Sequence, residues 1–320
     1  MLLLAAFAFL ACIGLGLSIT QGSVKISLPE IWQAFTGGIT QTTHGQILLN
    51  IRLPRTVVAA LVGMNLALAG AILQGIMKNP LADPHIIGIS SGAGLTGIMV
   101  MLMFPEYPGL VTPAAFLGAM GAALCIYILA WKNGIRPIRI ILAGVAVSAF
   151  LGAGISAMLI FYSDRVHGAL MWMVGGLSAR SWTHVEIIWP YAVIGFVLAL
   201  GGARHLNILQ LGDEVAKGLG LRVEMTRIFM TAVAAILAAS AVSVAGLLGF
   251  VGLIVPHVAR LIVGSDYRFL LPGAAILGVA VVTLSDTLAR TAFSPAELPV
   301  GIIMAIAGAP FFLYLLRKEL

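Results

Sequence analysis

Long apolar stretches separated by short polar ones are the main pattern of this chain. Nine apolar intervals contain no Asp, Glu, Lys or Arg. They are residues 1–24, 56–77, 84–105, 107–131, 140–163, 187–203, 228–259, 269–285 and 298–316. A helix needs about 20 apolar residues to cross a bilayer, and eight of the nine intervals have the length of a single span. The pattern predicts an all-α, polytopic membrane protein.

The interval 228–259 decides the number of spans. Its 32 residues are too many for one span and are interrupted by Gly246, Gly249, Gly252 and Pro256, so it holds either two short spans or one overlong one. With ten spans and a cytoplasmic N-terminus, 12 of the 18 Lys and Arg residues fall inside and six outside. With nine spans the count is nine on each side. Because cytoplasmic loops carry the excess of Lys and Arg, we expect about ten spans, with both termini in the cytoplasm.

Composition agrees with this picture. Only 9% of the 320 residues are charged and the mean hydropathy is +1.07, which is typical of a helical membrane protein. The 37 glycines suit helices that pack closely in lipid. A net charge of +6 is interpreted as membrane topology, and no nucleic-acid partner is expected because no basic cluster is interleaved with aromatics. Cys12 and Cys125 lie in apolar runs and are interpreted as packing residues.

The chain is expected to form one transmembrane domain, residues 1–320, made of two halves. A division after the fifth span gives halves of opposite orientation, roughly residues 1–165 and 166–320. Each half contains a small-residue stretch that closes on a proline–histidine turn, "LALAGAILQGIMKNPLADPH" and "VSVAGLLGFVGLIVPH". The two stretches align only with a four-residue gap. They suggest an inverted five-plus-five repeat, a common plan among transporters.

Two polar segments interrupt the spans. Residues 25–55 form an extracytoplasmic loop in which "SLPEIWQAF" predicts a short interfacial helix with Trp32 at the membrane surface. Residues 204–227 form the longest cytoplasmic connection and carry seven charges. Within it, "GDEVAKGLG" predicts a short helix that begins near Asp213 and ends at a glycine.

The sequence offers little support for catalysis. In "KNPLADPHIIGISSGAG", residues 78–94, the glycines resemble a phosphate loop but lack its lysine, so the stretch is interpreted as a turn followed by helix packing. The chain has no H-E-x-x-H, no G-x-S-x-G and no paired intramembrane carboxylates. Asp286 is interpreted as a helix cap or a partner of Arg290. We therefore expect no enzyme activity, no cofactor and no resident metal, and the energy for transport should come from another subunit.

Three arginines on the predicted outer side allow two interpretations. Arg52 and Arg55 flank a proline at the start of the second span, and Arg290 follows in "LSDTLAR". They either extend to lipid headgroups or form a docking patch for an acidic partner, because the planar guanidinium binds carboxylates through two bonds.

Seven motifs, in unbroken order from about residue 25 to the C-terminus, resemble one family. They are "RLPR", "NPLADPHIIGISSGAG", "LAGVAVS", "LGDEVAKGLGLRV", "GFVGLIVPHVARLIVGSDYRFLLPGAAILG", "SDTLAR" and "ELPVGIIMAIAGAPFFLYLL". The chain is identified by this resemblance as a FecCD-type permease of the type II ABC importers, which take up ferric siderophores, haem and cobalamin. Its expected location is the bacterial or archaeal cytoplasmic membrane.

The resemblance implies three kinds of protein partner. These are a second permease copy, most simply in a homodimer, two cytoplasmic ABC ATPase subunits, and a periplasmic or lipid-anchored binding protein that delivers the solute. ATP would close the ATPase dimer, and the permease would alternate its open side. The alternative is an ion-coupled secondary transporter of an organic solute, which the scarcity of membrane-embedded carboxylates disfavours.

The resemblance also assigns roles to individual residues. The cytoplasmic gate would comprise Asn79, Pro80, Leu81, Pro137 and Ile138, although the family often has small hydroxyl residues where this chain has Pro137 and Ile138. The docking residues would be Arg52, Arg55 and Arg290. The segment that couples to the ATPase would contain Gly212, Asp213, Glu214, Ala216, Lys217, Leu219 and Gly220.

The substrate is only partly constrained. The region after the fifth span, "FYSDRVHGALMWMVGGLSAR", should border the pathway in such a fold. Arg165, His167, Met171 and Met173 could contact a carboxylate-bearing chelate or a haem there, or they could simply pack against the protein. A ferric siderophore is the favoured substrate, followed by haem and cobalamin.

Overall fold

The computed structural model is all-helical over the residues that it describes, which are 2–22, 24, 26–36, 42–85, 88–132 and 137–319. Lys25, Ile86, Ile87 and Arg136, which the motif and charge arguments used, lie outside these residues. The α-helices are α1 (Leu2–Thr20), α2 (Leu28–Phe35), α3 (Thr43–Ile47), α4 (Leu53–Met77), α5 (Ile89–Met103), α6 (Val111–Ala130), α7 (Pro137–Phe161), α8 (Val166–Val174), α9 (Trp182–Gln210), α10 (Asp213–Gly218), α11 (Val223–Ala245), α12 (Val251–Val263), α13 (Tyr267–Thr291) and α14 (Val300–Glu319).

Within the described part of the chain, seven helical stretches are long and apolar enough to cross a membrane. They are Leu2–Thr20, Thr43–Met77, Pro108–Ala130, Pro137–Phe161, Trp182–Gln210, Val223–Ala245 and Tyr267–Thr291. Three shorter apolar helices accompany them, at Ile89–Met103, Val251–Val263 and Val300–Leu315. The prediction of an all-α protein with many apolar helices is confirmed.

The interval 228–259 is divided between two helices, which agrees with the alternative of two short spans. α11 ends at Ala245 and α12 begins at Val251. Gly246, with φ +76°, and Phe250, with φ +67°, lie in the connection. Left-handed backbone is readily adopted by glycine, so Gly246 ends α11 and the chain turns before α12.

The middle of the bundle is α4, which packs against α13, α11, α9 and α12. Glycines allow the closest approaches. A Cβ atom at Gly63 would collide with the carbonyl group of Gly278 in α13, and one at Gly70 would collide with the backbone of Gly252 in α12. A buried hydrogen bond of 3.0 Å from Asn65 Nδ2 to Ser240 Oγ joins α4 to α11. The glycines of α4 therefore let α13 and α12 pack directly on its backbone.

α7 lies at the periphery of the chain. Most of its apolar side chains, including Leu142, Val145, Phe150, Ile160 and Phe161, are exposed. A helix that is apolar on an exposed face needs lipid or another protein against it. α7 therefore presents a surface that a membrane or a second subunit would cover.

The two polar segments fold largely as predicted. α2 begins after Ser27, whose backbone N–H and hydroxyl both donate to Glu30 Oε2 at 2.8 and 2.7 Å, and Trp32 is exposed. Hydrogen bonds from the backbone and side chain of Ser27, and then one with His44, together lower the pKa of Glu30 from 4.5 to about 2. α10 begins at Asp213 and ends at Gly218, which agrees with the helix predicted from "GDEVAKGLG".

The sequence basis for an inverted repeat is wrong in one respect. Asn79–Pro84 lies in the connection between α4 and α5, but Pro256 and His257 lie inside α12. The proline at position 256 falls within the second turn of a short helix, so this proline–histidine pair continues the helix. The two proline–histidine pairs are not equivalent turns.

Candidate functional site

The turn after α4 contains the predicted gate residues Asn79, Pro80 and Leu81. Lys78 caps α4 in left-handed backbone, with φ +50°. The Asn79 side chain then accepts a hydrogen bond of 2.9 Å from the Leu81 N–H, and the Asn79 backbone carbonyl accepts one of 3.1 Å from the Ala82 N–H. An asparagine that bonds the backbone two residues ahead forms a turn of its own. The Asn79 side chain therefore fixes the shape of this turn.

Asp213, at the start of α10, joins the predicted coupling segment to the turn. Its Oδ1 atom lies 2.8 Å from Arg227 Nη2 and 3.4 Å from Lys78 Nζ. Partial burial raises the pKa of Asp213, but the hydrogen bond and charge of Arg227, with a further contribution from Lys78, lower it below its ordinary value. Asp213 is therefore ionised at neutral pH, and it binds Arg227 of α11 and Lys78 at the end of α4.

The remaining coupling residues form a small projecting surface. Within α10 the side chain of Ala216 is fully buried, whereas Val215 and the following Leu219 are 51% and 61% exposed. Glu214 and Lys217 are exposed, and Gly212 and Gly220 adopt positive φ of +107° and +82°. The glycines allow the sharp entry to and exit from α10. The segment offers two apolar and two charged side chains to a partner.

The second predicted gate segment lies at the start of another helix. Pro137 is the first residue of α7, where a proline is favoured because its missing N–H is not needed. Ile138 beside it is exposed. The gate role of Pro137 and Ile138 remains a prediction.

Arg55 forms a buried ion pair at the opposite end of α4. Its Nε and Nη2 atoms each donate to Asp286 of α13 at 2.9 Å, and Nη1 donates to Glu297 at 2.8 Å. Asp286 was interpreted from the sequence as a cap or a partner of Arg290, and that interpretation is wrong because its carboxylate receives both bonds from Arg55. The pair joins α4 to α13.

Arg52 and Arg290 are also bound within the chain. Arg52 donates to the backbone oxygens of Ile19, Thr20 and Val24, and Arg290 donates to Ser18. These contacts fix the first helix and the segment after it against the bundle. Since Arg52, Arg55 and Arg290 are 4%, 6% and 5% exposed, they do not form an exposed patch in the single chain. Their docking role remains a prediction.

Arg55, Asp286 and Glu297 form a cluster, named here the Arg55 cluster, and Glu297 is its more accessible carboxylate. Its Oε2 atom accepts from Arg55 and, at 3.3 Å, from Ser178 Oγ. Burial raises the pKa of Glu297, but Arg55, Ser178 and the charge of Arg290 lower it to a value below its ordinary one. Glu297 therefore stays ionised at neutral pH, at an edge of the cluster that an outside partner can reach.

Two cavities border α8, and they separate the predicted pathway residues. Met173 lines a largely apolar cavity of about 570 Å³, together with Leu247, Phe250, Ile302 and Ile306. Met171 lines a second cavity of about 640 Å³. Arg165 and His167 are exposed, and Arg165 pairs with Asp164 at 3.3 Å. The four residues therefore do not converge on one binding site.

The sequence and the fold of this chain are similar to those of known proteins. A family model described as the FecCD transport family matches residues 9–318, nearly the whole chain. The chain belongs to the FecCD transport family. It is a multi-pass membrane permease of an ABC transporter, not an enzyme.

Relatives of this FecCD permease have names that describe import systems. The chain is 46% identical to the cobalamin import system permease protein BtuC of Halobacterium salinarum, over 88% of this chain and 76% of the relative. It is 42% identical to the Fe(3+)-citrate import system permease protein YfmE of Bacillus subtilis, over 85% and 82%. It is 38% identical to the hemin transport system permease protein HmuU of Yersinia pestis, over 94% and 91%.

Solved structures share the fold of the FecCD permease. A chain from an inward-facing conformation of a transporter assigned to the metal-chelate ABC type aligns with a TM-score of 0.87 at 29% identity, over 98% of both chains. PsaBC from Streptococcus pneumoniae in complex with a Fab aligns with a TM-score of 0.59 at 17% identity, over 89% of this chain and 94% of that chain. The second likeness concerns the fold alone.

Sequence reasoning missed the partners of the arginines. Arg55 and Asp286 are separated by 231 positions, and no spacing rule connects them. The cavity-lining residues Asp83 and His85 were likewise treated only as part of a turn. One indication was available for Asp286, because a carboxylate in an otherwise apolar helix needs a cation nearby.

Proposed function

We propose that this FecCD permease is the transmembrane subunit of an ABC importer that moves a metal chelate into the cytoplasm. The observation that carries the proposal is the near-full-length similarity to permeases of ferric citrate, cobalamin and hemin systems. In this proposal two permease copies associate, two ABC ATPase subunits bind the cytoplasmic face, and a binding protein delivers the chelate from outside.

In the proposed topology ten helices cross the membrane, the seven long stretches and the three shorter ones. The Arg55 end of α4 faces the outside, and the Asp213 end of the bundle faces the cytoplasm, which is the arrangement favoured by the Lys and Arg count. An even number of crossings puts both termini in the cytoplasm. The division into halves at residues 1–165 and 166–320 is part of the proposal, without the proline–histidine correspondence.

The proposed mechanism is ATP-driven alternating access. Closure of the ATPase dimer would displace α10 through its exposed side chains Val215 and Leu219. Asp213 would transmit the displacement to Lys78, which directly precedes the Asn79–Leu81 turn, and the turn would open or close the cytoplasmic side. The support for this route is the pair of contacts that Asp213 makes, to Arg227 at 2.8 Å and to Lys78 at 3.4 Å.

Docking of the binding protein is proposed at the Arg55 cluster, but through an exchange of partners. Arg55 already has two carboxylates, of which Asp286 is buried and Glu297 is 42% exposed along its side chain. A glutamate of the binding protein could replace Glu297 on Arg55 while Asp286 stays in place. Glu297 precedes α14, which contributes Ile302 and Ile306 to the Met173 cavity, so docking would act on that cavity.

The proposed cargo is a metal chelate, with a ferric siderophore favoured and haem and cobalamin next. The Met173 cavity is lined mainly by apolar side chains, which suits a large chelate that must be released and not held. An ion-coupled carrier is disfavoured by Asp286, because the carboxylate of this buried residue is bound through two hydrogen bonds to Arg55 and has no remaining freedom to bind a transported ion.

Uptake into proteoliposomes tests the proposal. The permease, its ATPase and its binding protein should take up ferric siderophore, haem or cobalamin only when all three proteins and ATP are present. The permease reconstituted alone with a proton or sodium gradient is the comparison. Uptake under that gradient, without ATPase or ATP, would show that the chain is a secondary transporter.

A further inference from the structure

The second cavity beside α8 holds an arginine without an acid partner. Arg180 lies in the connection between α8 and α9, and it lines the cavity of about 640 Å³ with His184, Glu297 and Trp172. The Nε atom of Arg180 is fully buried and has no hydrogen-bond partner among the described residues.

Arg55 and Arg165 pair with carboxylates, whereas Arg52 and Arg290 have no acid partner but donate to oxygens of the segment 18–24. Among the described residues, the Arg180 side chain has neither kind of partner. A guanidinium keeps its charge in proteins, and a charge that is partly withdrawn from water without a partner is unfavourable. A partner from outside the chain would remove that cost.

Glu297 lines the same cavity but does not act as the counterion. Its Oε2 atom accepts from Arg55 and from Ser178, and no ion pair joins it to Arg180 in the described chain. Burial lowers the pKa of Arg180, and the positive charge of Arg55 lowers it further. Partial burial and the charge of Arg55 both act against the charge of Arg180, and an anion beside the guanidinium would offset both.

The remaining lining of the cavity suits the oxygens of such an anion. Five hydroxyl-bearing residues border it. The hydroxyls of Ser178, Ser181 and Ser243 already bond Glu297, His184 and the Ser240 carbonyl, so Thr112 and Thr183 supply the uncommitted hydroxyls among the described residues. A hydroxyl can donate to a carboxylate or a phosphate, and a charge-assisted bond from arginine is about twice as strong as a neutral one. The volume falls in the range of about 300–1,000 Å³ that is common for small-molecule sites.

We propose that this cavity binds an oxyanion through Arg180, and that the oxyanion is a carboxylate group of a small solute. The same chemistry could be supplied by the phosphate of a membrane lipid. The proposal does not depend on the ATP-driven mechanism. α8 contributes Met171 to this cavity and Met173 to the apolar one. An anionic solute bound at Arg180 would therefore lie beside α8, next to the apolar cavity.

The test measures citrate binding to the purified permease in phosphatidylcholine nanodiscs, by calorimetry at low ionic strength. Arg180→Met removes the charge and keeps an apolar side chain of similar length. We expect this variant to bind citrate at least about tenfold more weakly than the parent, because a charged hydrogen bond is lost. Arg165→Met, which changes an exposed arginine in the same region, is the matched control and should bind like the parent. Neither ATPase nor binding protein is present, so failure of the importer proposal would not affect the result.

Two further measurements distinguish the sources of the anion and the role of Arg180. If the lipid supplies the oxyanion, phosphatidylglycerol nanodiscs should raise the unfolding temperature of the parent but not of Arg180→Met, and citrate should have no effect. Without any anion, Arg180→Met should unfold at the same or a higher temperature than the parent, because an unpaired buried charge is removed. A marked loss of stability would show that Arg180 is structural. Such a loss, or equal responses of parent and variant to both anions, would overturn the proposal.

Discussion

The ion pair between Arg55 and Asp286 should be the largest single polar contribution to the stability of the bundle. We consider the substitution Asp286→Asn, which keeps the shape of the side chain and removes its charge. In the parent, both oxygens of Asp286 accept from Arg55 at 2.9 Å, and the two side chains are 7% and 1% exposed. The substitution leaves Arg55 with Glu297 alone.

The expected loss follows from burial. Removal of one partner from a buried ion pair costs about 3–5 kcal/mol, because the other charge stays desolvated. Glu297 limits the loss to the lower part of that range, since it still neutralises Arg55 from a position open to water. Glu297→Gln removes the more exposed partner, whose side chain is 42% exposed, and should cost only about 1 kcal/mol.

Equilibrium unfolding of the purified permease in mixed micelles measures both losses. Asp164→Asn supplies the control, because Asp164 and Arg165 are 72% and 52% exposed and their pair should contribute less than about 1 kcal/mol. The expected order of destabilisation is Asp286→Asn, then Glu297→Gln, then Asp164→Asn. An Asp286→Asn variant as stable as the parent would refute the reasoning, and so would equal losses for Asp286→Asn and Glu297→Gln.

Three other predictions concern packing, coupling and titration. Gly70→Val should destabilise the bundle by about 1–3 kcal/mol in the same unfolding assay, because its side chain would collide with Gly252, whereas Gly152→Val in α7 meets open space and should be nearly neutral. Replacement of Glu214, Val215 and Lys217 together should lower uptake per ATP hydrolysed in proteoliposomes without loss of membrane insertion, and an unchanged ratio would exclude α10 from coupling. Carboxyl NMR should give Glu30 a pKa of about 2, below its ordinary 4.5. Since its folded pKa is depressed, its cap stabilises α2 above about pH 4.5, and the contribution is lost as the pH falls towards 2; a pKa near 4.5 would contradict the Ser27 contacts.

Local sequence predicted the features of the fold that depend on neighbouring residues. Charge-free apolar intervals gave the long helices, because a buried or lipid-facing backbone must satisfy its hydrogen bonds within the helix. Glycine placed the break between α11 and α12, and an asparagine gave the turn after α4. The motif "GDEVAKGLG" contained an acidic start and a glycine end, which are sufficient to define α10.

Contacts between distant segments could not be obtained in this way. Arg55 was predicted either to extend to lipid headgroups or to dock an acidic partner, but it pairs with Asp286, which comes 231 residues later. The same limit applies to the proline at position 256. Its sequence resembles a turn, yet it lies within the second turn of α12, beyond the first turn in which a proline costs no backbone hydrogen bond. Packing across the bundle, and not local preference, decides such positions.

The two ends of the bundle differ in the free energy needed to rearrange them. At the Arg55 end, separation of Arg55 from Asp286 would leave buried charges unpaired, at a cost of about 3–5 kcal/mol. At the Asp213 end, Lys78 and Asp213 are both about one-third or more exposed and lie 3.4 Å apart, and such a pair costs no more than about 1 kcal/mol to separate. A partner that acts on α10 therefore needs little energy to separate Asp213 from Lys78 beside the Asn79–Leu81 turn, whereas α4 and α13 should move together. A change of access built on this chain should begin at the Asn79–Leu81 turn and leave the Arg55 pair intact.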